Sequence, residues 1–351
     1  MIVSTTDELR LYSPANAIDN IETLKGVLDI AEHEFLEDKL GSSLYELLCK
    51  YYKTLAEDEQ NVTDYVYRVM SGNYGSPIEE LLSLGQRITV YAALGMVIDL
   101  QGVSVNGSGV NIAVADDYQK ADQKSVEAYK KQCMMLAHAA INSLLLRLEL
   151  WTKHESAVPL SEEEGEDYSK AHIVELWRES RYYYLAASLL IPSSQVLQEY
   201  LDIYYSREKF IMMLPDLTYI QEDILSHDIG VEFMAYLVQC VMHGTQDRTV
   251  STIIHSLRKI MARLLEMRTQ VIKVTETRKK AATDEYNQLW KSFCEYIAPR
   301  VADLPAEALE AFRKSPLYAP EKSEDSAATA NAPAFQNNTK GKVIFVTPMF
   351  N

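Results

Sequence analysis

The chain of 351 residues contains no run of about 18 uncharged apolar residues, the length a helix needs to cross a bilayer. Its opening, MIVSTTDELRLY, has neither a basic flank nor an apolar h-region, so no secretory signal is expected. Cysteine is scarce: Cys49, Cys133, Cys240 and Cys294 lie far apart inside apolar helical patterns, without metal-like spacing. They read as small buried hydrophobes. Also missing are GxxxxGK[ST], GxGxxG after a strand, GxSxG and HExxH. These absences lead us to expect a cytoplasmic protein with no membrane partner, no metal, no cofactor and no catalytic role.

Positive charge is in deficit too. Lys and Arg total 34 against 50 Asp and Glu, a net charge of −16. Such a surface repels a nucleic-acid backbone, which argues against tight DNA binding. It remains compatible with a protein that surrounds DNA without holding it. Apolar content of 47% and charged content of 24% suit a globular fold, and the length has room for two domains.

Self-similarity is present. IAEHEFLEDKLGSSLYELL from Ile30 aligns with YIQEDILSHDIGVEFMAYL from Tyr219 at a constant offset of 189. Leu36 then matches Leu225, Leu40 matches Ile229, Gly41 matches Gly230, Leu44 matches Phe233 and Leu48 matches Leu237. At an offset of 161, Ala121, Tyr129, Lys130 and Cys133 match Ala282, Trp290, Lys291 and Cys294, so the second copy is shorter by about 28 residues. Fixed-order similarity of this kind marks a duplicated supersecondary unit.

The expected fold is mainly α: two similar antiparallel helical modules, a β-hairpin in the first, and a flexible C-terminal tail ending in a short strand. The first module spans 1–152, with Thr5 or Thr6 capping a short helix and Gly41 closing a helix from about Ile21. Residues 57–76 read as loop, although VTDYVYRVM suits a short helix, and Pro77 opens a long helix. GVSVNGSGVNIAV, residues 102–114, places Asn106-Gly107 between alternating β-branched residues and predicts the hairpin. Ser125 is expected to cap the next helix. Residues 153–168, with the acidic run SEEEGED, read as a linker. The second module, 169–315, opens with a helix over about 170–191, followed by one running through VLQEYLDIYYSREKFIMML. An amphipathic helix over 251–268, a hairpin shrunken to QVIKVTE, and a helix over about 283–297 complete it. Residues 316–351 form a polar tail ending on KVIFVTPMF.

Three sets of residues stand out as interaction elements. Val103, Val105, Val110 and Ile112 lie on the hairpin. Arg258, Arg263, Lys279 and Lys280 belong to nine Lys/Arg clustered between Asp247 and Lys280, which either dock on an acidic neighbour or form an ordinary exposed face. Val343, Ile344, Phe345 and Val346 form a terminal strand that adds to another subunit's sheet or pairs within its own domain. His33 with Glu32, Glu34 and Glu37 reads as a solvated helix face, since adjacent residues point in different directions on a helix. The aromatics Trp177, Tyr182, Tyr183, Tyr184, Tyr204 and Tyr205 read as core and interface, with a stacking platform as the alternative.

The DELRLY helix (Asp7–Tyr12) and the following Ala31, Phe35, Leu36, Leu40, Gly41 and Leu44 carry a resemblance. It is to the head–tail connector (adaptor) proteins of tailed bacteriophages. YLDIYYSREKFIMMLPDLTYIQEDILSHDIG is similar to an uncharacterised family from phages and prophages of gut bacteria. The resemblance covers residues 1–150 and 190–300 and rests on apolar patterns. It implies a homo-oligomeric ring, commonly twelvefold, in the virion neck. Portal and tail proteins would be its partners, and DNA would pass through the lumen without sticking. Doubling and the long tail depart from the simple connector and leave the subunit count, and the module that meets the portal, open. The competing readings are an intracellular helical adaptor and an enzyme with a site in the aromatic-rich second half.

Overall fold

The computed structural model describes residues 1–12, 21–101, 103–106, 109–112, 123–154, 168–180, 183–186, 188–245 and 247–318. The acidic stretch 155–167 and the tail from 319 onward, with Val343, Ile344, Phe345 and Val346, lie outside the described residues. The fold is mainly helical, as expected.

A buried Ile2-Val3 segment leads into α1 (Thr6–Tyr12), which Thr5 caps through a bond from the Glu8 amide. Next come α2 (Lys25–Ala31), a π-helical turn over Glu32–Glu37, and α3 (Asp38–Leu40). Gly41, at φ 82° and ψ 157°, ends α3 and starts α4 (Ser42–Leu55). A helix α5 (Glu59–Ser71) occupies the region expected to be loop; Asp58 caps it and Gly72 closes it in the left-handed conformation. The long α6 (Pro77–Gln101) and α7 (Gln123–His154) form the most extensive helix pair. Ser125 therefore lies inside α7 rather than at its cap. By length and composition, residues 124–152 of α7 would suit a membrane span; here the helix packs against α6, α8 (Lys170–Glu179) and α10 (Arg207–Tyr219). Between α6 and α7, β1 (Val103–Asn106) and β2 (Gly109–Ile112) pair antiparallel with Val103 opposite Ile112 and Val105 opposite Val110.

The helix expected over 170–191 is broken. It stops at Glu179, where Ser180 turns extended, and the chain folds back to stack Tyr183 edge-on against Trp177 at 5.0 Å. α8 also packs on α4, α6 and α7, so a boundary at 168 separates a helix from the core it joins. Trp177 is fully buried on α8, beside Tyr183 and Tyr184, and burying that ring supplies driving force for the packing.

The second half begins with a buried Leu189–Ile191 segment and α9 (Ser194–Gln198), capped by Ser193. After α10, interrupted internally by Pro215, a π-helical turn over Ile220–Leu225 leads into α11 (Ser226–Ile229). Gly230, at φ 93° and ψ 135°, begins α12 (Val231–His243). Asp247 caps α13 (Arg248–Arg268), which pairs with α14 (Glu276–Ile297). The expected QVIKVTE hairpin is absent: no strand occurs in this connection, which is irregular from Thr269 until α14 begins. A short helix, α15 (Ala306–Arg313), then lies on α12.

One hydrophobic core runs through both halves. At their junction Arg207 of α10 donates to Glu149 of α7 at 2.9 Å, both side chains almost fully buried. Glu149 also accepts from Tyr184 and Arg207 donates to Asn142 at 3.3 Å, which offsets part of the cost of burying the pair.

Candidate functional site

α9 is cut to five residues by the turn that follows it. The Gln198 side-chain oxygen accepts the amides of Ile203 (3.0 Å) and Tyr205 (2.8 Å), and its amide nitrogen donates to Asp202 (2.8 Å). Asp202 in turn accepts the Tyr204 amide at 3.0 Å, and these two bonds hold its carboxyl below the usual range. This brace fixes Tyr204 and Tyr205 at φ 58° and 53°, the only non-glycine residues with positive φ among the described ones. Each such residue costs about 1 kcal/mol. Helix periodicity alone predicts a continuous helix here, and the side-chain brace explains the break.

Burial does not offset the strain. Tyr204 is 77% exposed and Tyr205 58% exposed. Tyr204 lines a cleft of 720 Å³ together with the apolar Leu201, Val271 and Ile272, and Tyr205 follows it in the same turn. Lys209 places its ammonium 4.9 Å over the Tyr204 ring. Behind them Arg278 bridges Glu266 (2.8 Å) and Glu285 (2.6 Å), and both bonds push its guanidinium above its ordinary pKa. Arg263 bonds Glu266 at 2.6 Å and the Tyr200 carbonyl at 2.8 Å. Lys273 on the rim is exposed and has no ion pair among the described residues.

This arrangement corrects the reading of the basic cluster as one free patch. Arg263 is consumed internally, and Arg258 donates to the Leu190 carbonyl at 2.7 Å, tying the entry segment to α13. Lys279 pairs with Glu276 at 3.1 Å on the surface, and Lys280 is exposed. A count of cations in sequence does not reveal that acids from α13 and α14 pair with Arg263, Arg278 and Lys279.

Two further concavities deserve description. One, of 460 Å³, is lined by His33, Glu37, Asp38, Gly41, Ser42, Glu179 and Ser180. His33 bonds Glu37, and that bond raises the imidazole pKa against a smaller opposing effect of burial. Glu32 beside it is not on the solvated face expected for it but fully buried, because the wider π turn rotates it inward. There it accepts the Ile2 amide (2.9 Å) and the Tyr45 hydroxyl (2.6 Å). The other concavity, of 840 Å³, is a groove between α1 and α5 bearing Leu11, Val62, Val66, Tyr67 and Met70. No cluster of three or more His, Cys, Asp or Glu suited to a metal occurs among the described residues.

Residues 36–155 are similar to a family of unknown function, DUF6712. The match begins inside the first π turn and ends just beyond α7, so it lies within the first half of the chain. No curated protein and no solved structure matches the chain.

Proposed function

We propose that the protein is a non-enzymatic structural subunit built by tandem duplication, which assembles into a ring of the connector type between phage portal and tail. The observation that carries the reading is a set of paired local devices. Buried Ile2-Val3 and Leu190-Ile191 lead into short helices capped by Thr5 and Ser193. Glu32 and Gln221, matched at the offset of 189 and each within a π turn, each accept an amide from that entry segment: Ile2 at 2.9 Å and Leu190 at 2.7 Å. Gly41 and Gly230 share a backbone conformation reserved for glycine and each abuts a serine, Ser180 and Ser315. Those serines follow Trp177 and Phe312, and their carbonyls accept the amides of Tyr183 and Tyr318. π turns are rare, and two of them in matched settings favour common descent over chance.

On this reading the first unit extends to about Tyr183, beyond the 152 expected from the sequence, and the second runs from about Leu190 to Tyr318, starting later than 169. The β1–β2 pair is an assembly element rather than part of the core, and the terminal strand at 343–346 clips one subunit to the next. The lumen is acidic and passes DNA without holding it. The protein works in the host cytoplasm during assembly and in the virion neck thereafter. Electron microscopy and mass photometry of the full chain test this, alone and with portal protein. Rings that bind portal are expected, whereas a monomer indifferent to portal and concentration would refute the reading. Truncation belongs after Tyr318, because Leu317 and Tyr318 still pack on the fold.

A further inference from the structure

We infer that copies of this chain associate head to tail, the Tyr204–Tyr205 cleft of one seating on the α1–α5 groove of the next. This rests on the self-assembly proposed above and names the faces. The cleft presents the exposed Tyr204 ring, with exposed Tyr205 next to it in the strained turn, and the apolar Leu201, Val271 and Ile272. It also carries two cations: Lys273, which has no ion pair among the described residues, and Lys209, which lies over the Tyr204 ring and in the field of Asp202. The groove presents the complement. Tyr67 and Met70 are 67% and 71% exposed, and the charged lining is Glu59 with an Arg10–Asp7 pair. The exposed acids Glu57, Asp58 and Asp64 flank Glu59 in sequence, these four without ion pairs among the described residues.

Charge along the chain agrees. Residues 1–152 hold 22 acids against 12 Lys/Arg, whereas residues 169–315 hold 19 against 18. An acidic half meeting a near-neutral half with unpaired lysines attracts head to tail and repels head to head. Tyrosine rings against methionine and tyrosine supply the apolar centre such contacts need. Because the two faces differ, the contact is heterologous, which closes into a ring or runs on as a filament. A nucleic-acid partner is the poorer fit, since Arg263 and Arg278 are already neutralised and two lysines cannot hold a polyanion on a surface this acidic.

The test uses the full chain. Tyr204→Gly with Tyr205→Gly removes both rings while suiting the left-handed backbone, so the melting temperature should hold or rise. Self-association, read by analytical ultracentrifugation, should weaken at least tenfold. Lys209→Glu with Lys273→Glu should weaken it comparably, and adding Asp58→Lys with Asp64→Lys to the same chain should restore it. Carbodiimide cross-linking of a mixture of light and isotopically heavy protein should join Lys273 or Lys209 of one copy to α5 carboxylates of another. A glycine-pair variant that assembles as well as the wild type overturns this interface and leaves the self-assembly reading standing. A wild-type protein that stays monomeric overturns both.

Discussion

The entry segments of the two halves are held by the same backbone devices and wired with different chemistry. In the first half Glu8 accepts Ser4 and Thr5 amides, the Tyr52 hydroxyl and the Gln86 amide, and Glu32 accepts Ile2 and Tyr45. In the second half the residue three past the capping hydroxyl is Val196, not a glutamate, and Gln221 replaces Glu32. Gln221 accepts from Leu190 and donates to the Ser188 carbonyl at 2.9 Å. A buried carboxylate can only accept, so it recruits donors from several elements. An amide satisfies both a donor and an acceptor within one segment. The first half thus couples distant elements through buried charge, and the second fastens one strand of chain locally.

The link between the halves gives the largest expected effect. Glu149→Ala leaves Arg207 buried and unpaired, and should cost about 3–5 kcal/mol in denaturant unfolding. If the two halves fold independently, only one of two transitions will move. Gly41→Ala and Gly230→Ala come next. An added Cβ would lie 2.7 Å from the Ser180 Cβ in one case and 3.0 Å from the Ser315 Cα in the other, on backbone that other residues rarely adopt. A loss of about 2–4 kcal/mol is expected at each. Equal losses would sharpen the equivalence of the two junctions; a neutral substitution at either would break it.

Exchanging the wiring probes the comparison directly. Gln221→Glu puts a carboxylate opposite the Ser188 carbonyl, and should cost about 2–3 kcal/mol at neutral pH. Burial raises the folded-state pKa of that new acid. Its penalty should therefore fade as pH drops through the folded value, where the protonated form can donate. Glu32→Gln should cost less, since the amide oxygen can still accept from Ile2 while its NH2 donates to the Tyr45 hydroxyl, which can turn to accept. Thermal melts at several pH values distinguish these outcomes.

The smallest effect concerns His138, which bonds Glu208 across the halves at 2.7 Å. That bond raises the imidazole pKa, with burial opposing it. The contribution is complete below the unfolded value of about 6.5 and is lost as pH rises through the folded one. A slight fall in melting temperature above neutrality, absent in His138→Gln, is expected.

Much of this architecture was legible in the residues. Gly41 and Gly230 signal their helix junctions, Pro77 opens α6, and apolar spacing locates the long helices. What was hidden depends on tertiary partners. The inward turn of Glu32 follows from a π turn that a 3.6-residue period cannot express. The break at Tyr204–Tyr205 follows from the Gln198 brace, and the attachment of α8 to the first-half core follows from where Trp177 finds space. For the candidate surface, the sequence pattern places the tyrosines in core and interface and shows the cations without their neutralising acids. Hydrophobic spacing reports which face of a helix is apolar and is silent about which element covers it.

The connection from α12 to α13 is short, passing from Gly244 to Asp247, whereas between α4 and α6 the chain accommodates the whole of α5. The first half thus carries a helix at this point and the second half does without it. The short connection is accordingly a natural port for engineering, where a reporter peptide or small domain can be grafted while the surrounding helices keep their positions.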